Sequence, residues 1–178
     1  MQTNARLRGK KVAILVEHHY QDMEVWVPYF RLLEEGAQVT FVGTGSAAAY
    51  QGKFGYPVKP DTTADKVKSK DLDALIIPGG WAPDFLRRHA SVLNLVGEMD
   101  RAGKTVAAIC HGGWVLASAG ILKGRTVTCF SAIQDDVVNA GAKYVDREVQ
   151  VDKNLITSRT PADIPAFCRE IAASLSGK

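Results

Sequence analysis

The sequence predicts a single α/β domain whose mostly parallel sheet is covered by helices on both faces. Short apolar runs of strand length, at residues 11–16, 37–42, 73–77 and 105–109, alternate with segments of helical periodicity. Strands that alternate with helices favour parallel pairing, and unbroken apolar runs are typical of strands buried on both faces. The length of 178 residues and the apolar content of 46% suit one domain with a proper core.

Each element follows from a local pattern. Apolar residues recur at helical spacing from Met23 to Leu33, and Gly36 ends that helix. Residues 43–70 are rich in Gly, Ser, Pro and Lys, which predicts a surface excursion carrying a hairpin. The remaining predicted elements are helices over 86–102 and 111–119, a strand over 126–130, a helix over 134–140, strands over 148–151 and 155–158, and a terminal helix over 162–175.

The charge is concentrated at the start of the chain. Of the formal net charge of +3, four positives come from Arg6, Arg8, Lys10 and Lys11, so the rest of the chain is nearly neutral. We predict that residues 1–10 form a flexible basic tail and that residues 11–175 form the domain. The folded part has no stripe of basic residues with interleaved aromatics, which argues against a nucleic-acid partner.

The chain has no apolar segment typical of an export signal or a membrane span, which would need about 18 apolar residues. Its three cysteines are odd in number and widely spaced, a pattern that fits neither a disulfide framework nor a zinc knuckle. The sequence therefore predicts a cytoplasmic protein in a reducing compartment. Cys129 and Cys168 fit small core residues in apolar segments.

Cys110 occupies a different context. It follows the apolar strand 105–109 and precedes a helix with glycines at 112 and 113, so we expect it at the apex of a sharp strand-to-helix turn. A thiol at a helix N-terminus meets unpaired N–H groups, which are predicted to lower its pKa and give an activated thiolate. The backbone N–H groups of His111, Gly79 and Gly80 are candidate oxyanion donors.

Three neighbours are candidates for assisting that thiol. His111 could accept its proton or stabilise its thiolate. Asp84, beside the glycine loop, could orient His111, or it could instead cap the helix after Pro83. Pro28 cannot donate to the carbonyl of Glu24, so we expect a disrupted helix start that could turn Glu24 toward the sheet edge, although spacing alone favours a surface carboxylate on an amphipathic helix.

No metal or cofactor is predicted. His18 and His19 are adjacent, so they do not lie on one face of a regular element as a metal pair would, and no other His, Cys or Asp cluster has ligand spacing. The glycines at 43 and 45 follow the second strand, not the first, which argues against a dinucleotide site.

Segments 52–56, 73–84, 107–112 and 157–163 together resemble the PfpI intracellular-protease family of the ThiJ/PfpI superfamily, and the likeness runs over residues 11–173. The resemblance implies a flavodoxin-like three-layer sandwich with a nucleophile elbow at Cys110 and His111 beside it. It also implies that Glu24 hydrogen-bonds the sulfur. Family members complete the site with a glutamate from a neighbouring subunit, where this chain has the shorter Asp84. Glutamine amidotransferases need a downstream His, and none follows His111.

The predicted function is therefore that of a stress-response cysteine enzyme. It would act either as a peptidase or hydrolase, or as a glyoxalase or deglycase on reactive aldehydes and their protein adducts. Its expected partners are a small electrophilic or peptide substrate and further copies of itself, as a dimer or larger oligomer with sites near subunit contacts. The alternative is a redox-sensing or chaperone-like protein in which Cys110 is oxidised without turnover. In a third possibility the fold is retained only for assembly.

Overall fold

The computed structural model describes residues 5–177, and a seven-stranded sheet forms the centre of the fold. Two short two-stranded sheets accompany it. The strands are β1 (Lys11–Leu15), β2 (Gln38–Gly43), β3 (Tyr50–Gln51), β4 (Pro57–Val58), β5 (Thr62–Thr63), β6 (Ala74–Ile77), β7 (Thr105–Ile109), β8 (Thr126–Val127), β9 (Lys143–Tyr144), β10 (Val149–Asp152) and β11 (Leu155–Ser158).

The strands of the large sheet lie in the order β10-β11-β7-β6-β1-β2-β5. All pairs are parallel except β10 with β11, which confirms the mostly parallel sheet. From β1 the chain builds outward to β2 on one side and later returns to β6 on the other. The order therefore reverses beside β1, and the crevice beyond the carboxyl ends of β1 and β6 is where ligands settle in such sheets.

Helices cover both faces of the sheet, as predicted. The helices are α1 (Asp22–Glu34), α2 (Ala82–Leu86), α3 (Ala90–Arg101), α4 (Gly113–Ser118), α5 (Gln134–Asn139) and α6 (Ile164–Ser176). Helices α1 and α6 pack against each other on one face, and α3 and α4 lie on the other. The flavodoxin-like three-layer arrangement is thereby confirmed. No helix within residues 5–177 has the length and apolar character that crossing a membrane would require.

Two predicted elements differ from the observed ones. The helix predicted over 86–102 begins only at Ala90, as α3, and Leu86 instead ends the separate helix α2. The strand predicted over 126–130 pairs only at β8, with β9, outside the large sheet. Beyond β8 the chain crosses the end of that sheet instead of joining it: Thr128 N–H donates to Thr157 Oγ1 at 2.9 Å, and Phe130 N–H donates to the Cys110 carbonyl at 3.3 Å. The predicted hairpin is present as β3 and β4.

The predicted flexible tail is wrong for residues 5–10, while residues 1–4 lie outside the described part of the chain. Leu7 is fully buried, and its N–H donates to the Glu35 carbonyl at 2.8 Å. Arg6 forms an ion pair with the buried Glu35 carboxylate, which also pairs with Arg31. Apolar burial and this ion-pair cluster hold the segment against the end of α1, although its composition is that of a solvated leader.

The helix that carries Glu24 is also more regular than predicted. Helix α1 runs without interruption through Pro28, and the Gln21 side chain caps it by accepting from Met23 N–H at 2.8 Å. The expected disruption is therefore absent. Glu24 lies in the first turn and is 0% exposed because that side of α1 packs against the sheet.

Candidate functional site

Cys110 sits at the sharp turn that the sequence predicts. It follows the last residue of β7, has a left-handed backbone conformation (φ +60°), and begins a short 3₁₀ turn that leads into α4. Such a φ strains a residue with a side chain. The turn is possible because Gly112 has no side chain and can pack directly against the end of β6. A Cβ at this position would lie 2.7 Å from the Ile77 carbonyl oxygen. The elbow thus projects the thiol beyond the sheet edge.

His111 contacts the sulfur directly. Its Nδ1 lies 3.2 Å from Cys110 Sγ. The imidazole stacks on Phe130 at 4.8 Å between ring centroids and meets Trp114 edge-on at 5.1 Å. Burial, with a smaller effect from Lys53, lowers the pKa of His111. The ring is therefore neutral at physiological pH and able to accept a proton.

Glu24 lies behind the elbow as a buried carboxyl. Its Oε2 accepts a hydrogen bond from Gly79 N–H at 2.7 Å, while Oε1 has no partner among the described residues. Gly79 separates the two side chains so tightly that a Cβ there would lie 2.6 Å from Cys110 Cβ. Burial raises the pKa of Glu24 to about 7, although the Gly79 hydrogen bond opposes the shift. This carboxyl is close to half protonated at neutral pH.

The predicted lowering of the Cys110 pKa by backbone N–H groups is present but is outweighed, so the predicted thiolate is not the resting form. Burial, followed by the negative charge of Glu24, raises the pKa of Cys110 to about 12. Only 7% of Cys110 is exposed, and α4 has just six residues, so its macrodipole is short. With Glu24 ionised, Cys110 rests as a thiol, and deprotonation has to accompany the reaction.

The three predicted oxyanion donors divide into two groups. Gly79 N–H is already used by Glu24, so it is not free to bind an oxyanion. The N–H groups of Gly80 and His111 donate toward the Cys110 sulfur, where they lower its pKa against the larger effect of burial. Gly80 has φ +73° and leaves no room for a Cβ beside the His19 carbonyl, so the donor position requires glycine.

Asp84 does not join the other site residues within one chain. Its carboxylate forms an ion pair with Arg88, and it is neither bonded to His111 nor the N-cap of α2, which begins after Trp81. Both interpretations made from its spacing are therefore wrong within this chain. Among residues 5–177, no carboxylate hydrogen-bonds His111.

A cavity of about 520 Å³ opens over Cys110 and His111. Its lining consists of His19, Gln21, Lys53, Gly80, Trp81, Cys110, His111, Phe130 and Pro161. Lys53, Trp81 and Phe130 line the site although no local pattern in the sequence predicts a role for them there. The segment 52–56, which carries part of the family resemblance, is the one sequence signal that marks Lys53.

No group of three or more His, Cys, Asp or Glu side chains within the described range is arranged to hold a metal ion. The described part of the chain thus offers a thiol, an imidazole, a buried carboxyl and backbone donors as its reactive groups. Together they can add a nucleophile to an electron-poor carbon, hold the resulting oxyanion and move one proton.

Comparison with known proteins identifies relatives of this arrangement. The chain is 44% identical over 165 residues to "Deglycase PH1704" of Pyrococcus horikoshii, covering 93% of this chain and 99% of that one. It is 40% identical over 162 residues to "Putative cysteine protease YraA" of Bacillus subtilis, covering 91% and 96%.

A solved Anabaena variabilis protein with DJ-1/ThiJ/PfpI-like and ferritin-like domains matches with a TM-score of 0.92 and 41% identity. That match covers 93% of this chain but only 48% of the two-domain protein. The sequence pattern of the DJ-1/PfpI family matches residues 10–174, nearly the whole described chain. With the elbow and the parallel sheet, these matches show that the chain belongs to the DJ-1/PfpI family.

Proposed function

We propose that this protein is a cysteine-dependent enzyme of the stress response that acts on reactive aldehydes and the adducts they leave on proteins. The observation that carries the proposal is the contact of 3.2 Å between Cys110 Sγ and a neutral His111 on the floor of a cavity large enough for a small substrate. Relatives named as deglycases support this class of reaction.

In the first step the Cys110 sulfur forms a bond to the aldehyde carbon while its proton passes to His111 Nδ1. The carbonyl oxygen becomes an oxyanion that the N–H groups of Gly80 and His111 stabilise. Protonation of that oxygen gives a hemithioacetal. The proton on Glu24 is available near neutral pH to hydrogen-bond the sulfur while it is ionised.

With methylglyoxal, a proton then moves from the former aldehyde carbon to the neighbouring ketone carbon, which gives a lactoyl thioester. Water hydrolyses the thioester, releases lactate and restores the thiol. The aldehyde carbon is oxidised and the ketone carbon is reduced within the same molecule. The sequence of steps therefore needs water but no external oxidant or reductant.

The site supports aldehyde chemistry better than peptide hydrolysis. Peptidase triads orient their histidine with a third polar group, and the histidine must protonate an amine leaving group. Within residues 5–177, His111 has aromatic neighbours and no carboxylate partner, and Asp84 is paired with Arg88. Addition to an aldehyde has no leaving group, so it makes a smaller demand on that orientation.

The test is lactate production from methylglyoxal by wild type, Cys110→Ala and Cys168→Ala. Cys168 is a buried thiol on α6 outside the cavity, so its variant controls for the general loss of a cysteine. We expect Cys110→Ala to lose at least about 100-fold in kcat/KM, as removal of a nucleophile requires, and Cys168→Ala to retain activity. Equal rates for wild type and Cys110→Ala would refute the proposal.

A redox-sensing role is the second candidate, and one observation favours it. Glu24 Oε1 is buried without a hydrogen-bond partner, so once protonated it can donate to an oxygen on an oxidised Cys110. Mass spectrometry after mild peroxide treatment tests this role. We expect wild-type Cys110 to gain two oxygen atoms, and a smaller fraction of Cys110 to do so in Glu24→Ala. An unmodified Cys110 rules the role out.

Self-association remains a prediction. It is supported by apolar side chains that are strongly exposed on α1 and on the hairpin, namely Met23, Phe30, Phe54 and Tyr56. Light scattering at several protein concentrations would measure the expected dimer or larger oligomer, and a constant monomer mass would contradict it.

A further inference from the structure

Among the residues that the structure describes, Lys53 is the lysine that lines the catalytic cavity. Most of the cavity surface is apolar and aromatic, including Trp81, Phe130 and Pro161, and Lys53 brings a positive charge to the same space. Among residues 5–177, the Lys53 side chain forms no ion pair. Its ammonium lies 5.7 Å from the centroid of the Phe54 ring. The charge of Lys53 lowers the pKa of the buried Glu24, the smallest of the effects on that carboxyl, but the two groups form no ion pair. A cation that faces a cavity without an ion-paired carboxylate is suited to bind an anion.

The backbone around Lys53 is held firmly by the start of α1. Lys53 N–H donates to the Tyr20 carbonyl at 2.7 Å. The Asp22 carboxylate accepts from Phe54 N–H at 3.0 Å and from Tyr56 N–H at 3.2 Å, across the tip of the hairpin. A Cβ at Gly52 would overlap that carboxylate, so only glycine allows this close approach. These bonds fix the point from which the lysine side chain extends over the cavity.

The two arginines that directly follow α2 already have partners. Arg87 donates to Ser118 Oγ at 2.8 Å and lies over the Trp114 ring. Arg88 is paired with Asp84. Within the described residues, Lys53 is thus the cation at the cavity that remains available to a ligand.

We propose that Lys53 is a specificity-determining residue that selects substrates carrying a carboxylate close to the carbon that Cys110 attacks. The inference rests on the proposed function for its nucleophile. One ammonium matches the single negative charge of a carboxylate, whereas a phosphate dianion would remain half neutralised. The selected class is small aldehydes and aldehyde adducts that bear such a carboxylate, in preference to neutral ones of the same size.

Alkylation of Cys110 tests anion recognition without any turnover. Iodoacetate and iodoacetamide transfer groups of similar size by the same displacement of iodide, but only iodoacetate is negatively charged. The measured quantity is the alkylation ratio, which is the rate of Cys110 modification by iodoacetate divided by the rate by iodoacetamide. Mass spectrometry follows both rates, and the ratio is compared with that of free N-acetylcysteine. Because both reagents need the same thiolate, a change in the acidity of the thiol cancels in this ratio.

The variants are Lys53→Met, Lys53→Arg and, as a control for net charge, Lys59→Met on the exposed residue after β4. We expect Lys53→Met to lower the ratio about fivefold, the effect of a partly exposed ion pair of roughly 1 kcal/mol. Lys53→Arg should retain the ratio within about twofold, and Lys59→Met should leave it unchanged. An unchanged ratio in Lys53→Met overturns the proposal.

A matched pair of substrates tests selection during turnover. Methylglyoxal forms hemithioacetals with N-acetylcysteine, which has a carboxylate, and with N-acetylcysteinamide, which does not. We expect wild type to prefer the first in kcat/KM and Lys53→Met to lose that preference; equal turnover of the two overturns selection by Lys53. If neither adduct is turned over while the alkylation ratio still depends on Lys53, the enzymatic proposal fails and anion recognition stands.

Discussion

Replacement of Glu24 by glutamine isolates the energetic consequence of burying a titratable carboxyl behind Cys110. Glutamine has the same length, and its carbonyl oxygen can accept the hydrogen bond from Gly79 N–H. It cannot ionise. The variant therefore keeps the packing at the elbow and removes only the linkage between folding and the protonation of this site.

The magnitude follows from the pKa of Glu24, which burial raises from 4.5 to about 7. Because the folded state binds this proton more tightly than the unfolded state, the stabilisation is fully present below pH 4.5 and is lost as pH rises through 7. One pKa unit corresponds to about 1.4 kcal/mol, so the complete change amounts to about 3 kcal/mol. Between about pH 5 and pH 8.5, the expected loss is roughly 2.5 kcal/mol.

Urea unfolding followed by tryptophan fluorescence, at several values between about pH 5 and pH 8.5, measures this loss. We expect the free energy of unfolding of Glu24→Gln to rise relative to wild type by roughly 2.5 kcal/mol across that range. Glu148→Gln is the matched control, because Glu148 is exposed and forms no ion pair among residues 5–177. Its difference from wild type should not change with pH.

The decisive quantity is the difference between the two curves, since histidines and other carboxyls contribute equally to both. Parallel curves for wild type and Glu24→Gln would show that Glu24 titrates alike in the folded and unfolded chains. The description of the site as a carboxyl held near half protonation would then be wrong, and with it the proposed hydrogen bond from Glu24 to the ionised sulfur.

Three further predictions test other parts of the fold. Leu7→Ala should lower the free energy of unfolding by about 2–4 kcal/mol, as expected for a fully buried side chain, whereas a flexible tail would give no change. Gly79→Ala should cost about 1–3 kcal/mol and most of the Cys110 reactivity, because its Cβ would lie 2.6 Å from Cys110 Cβ. Gly97→Ala is the control within helix α3, because its Cβ would meet only the flexible end of the Arg101 side chain. It should raise the free energy of unfolding by about 0.5–1 kcal/mol in the same urea titration. Asp22→Ala should release the hairpin tip and lower the alkylation ratio of Cys110 toward its value in the Lys53→Met variant; an unchanged ratio would show that the tip is held without the carboxylate.

Much of the layered fold is predictable from local patterns. The apolar runs that become β1, β6 and β7 are recognisable because strands buried on both faces need unbroken apolar sequence. The turn at Cys110 is likewise predictable, because an apolar strand is followed closely by glycines. The strand predicted over 126–130 fails for a different reason: residues 128–130 are apolar enough for a strand, but their hydrogen bonds go to Thr157 and Cys110 at the end of the large sheet.

The site is only partly predictable. Family resemblance points to Glu24, while spacing alone favours a surface carboxylate, because nothing within α1 indicates that Gly79 will donate to it from 55 residues away. The sign of the Cys110 shift depends on how deeply the elbow is buried, and a helix N-terminus in the sequence does not report depth.

The sequence by itself determined an α/β sandwich with Cys110 at a strand-to-helix elbow, because both depend on periodicity and on glycines close along the chain. Only the tertiary structure decided that Leu7 is anchored, that Glu24 holds a proton near neutral pH and that Lys53 reaches the cavity. Those properties arise from burial and from contacts between segments distant in sequence. The dielectric environment of a charge is set by all the elements packed around it, so no local pattern can specify it.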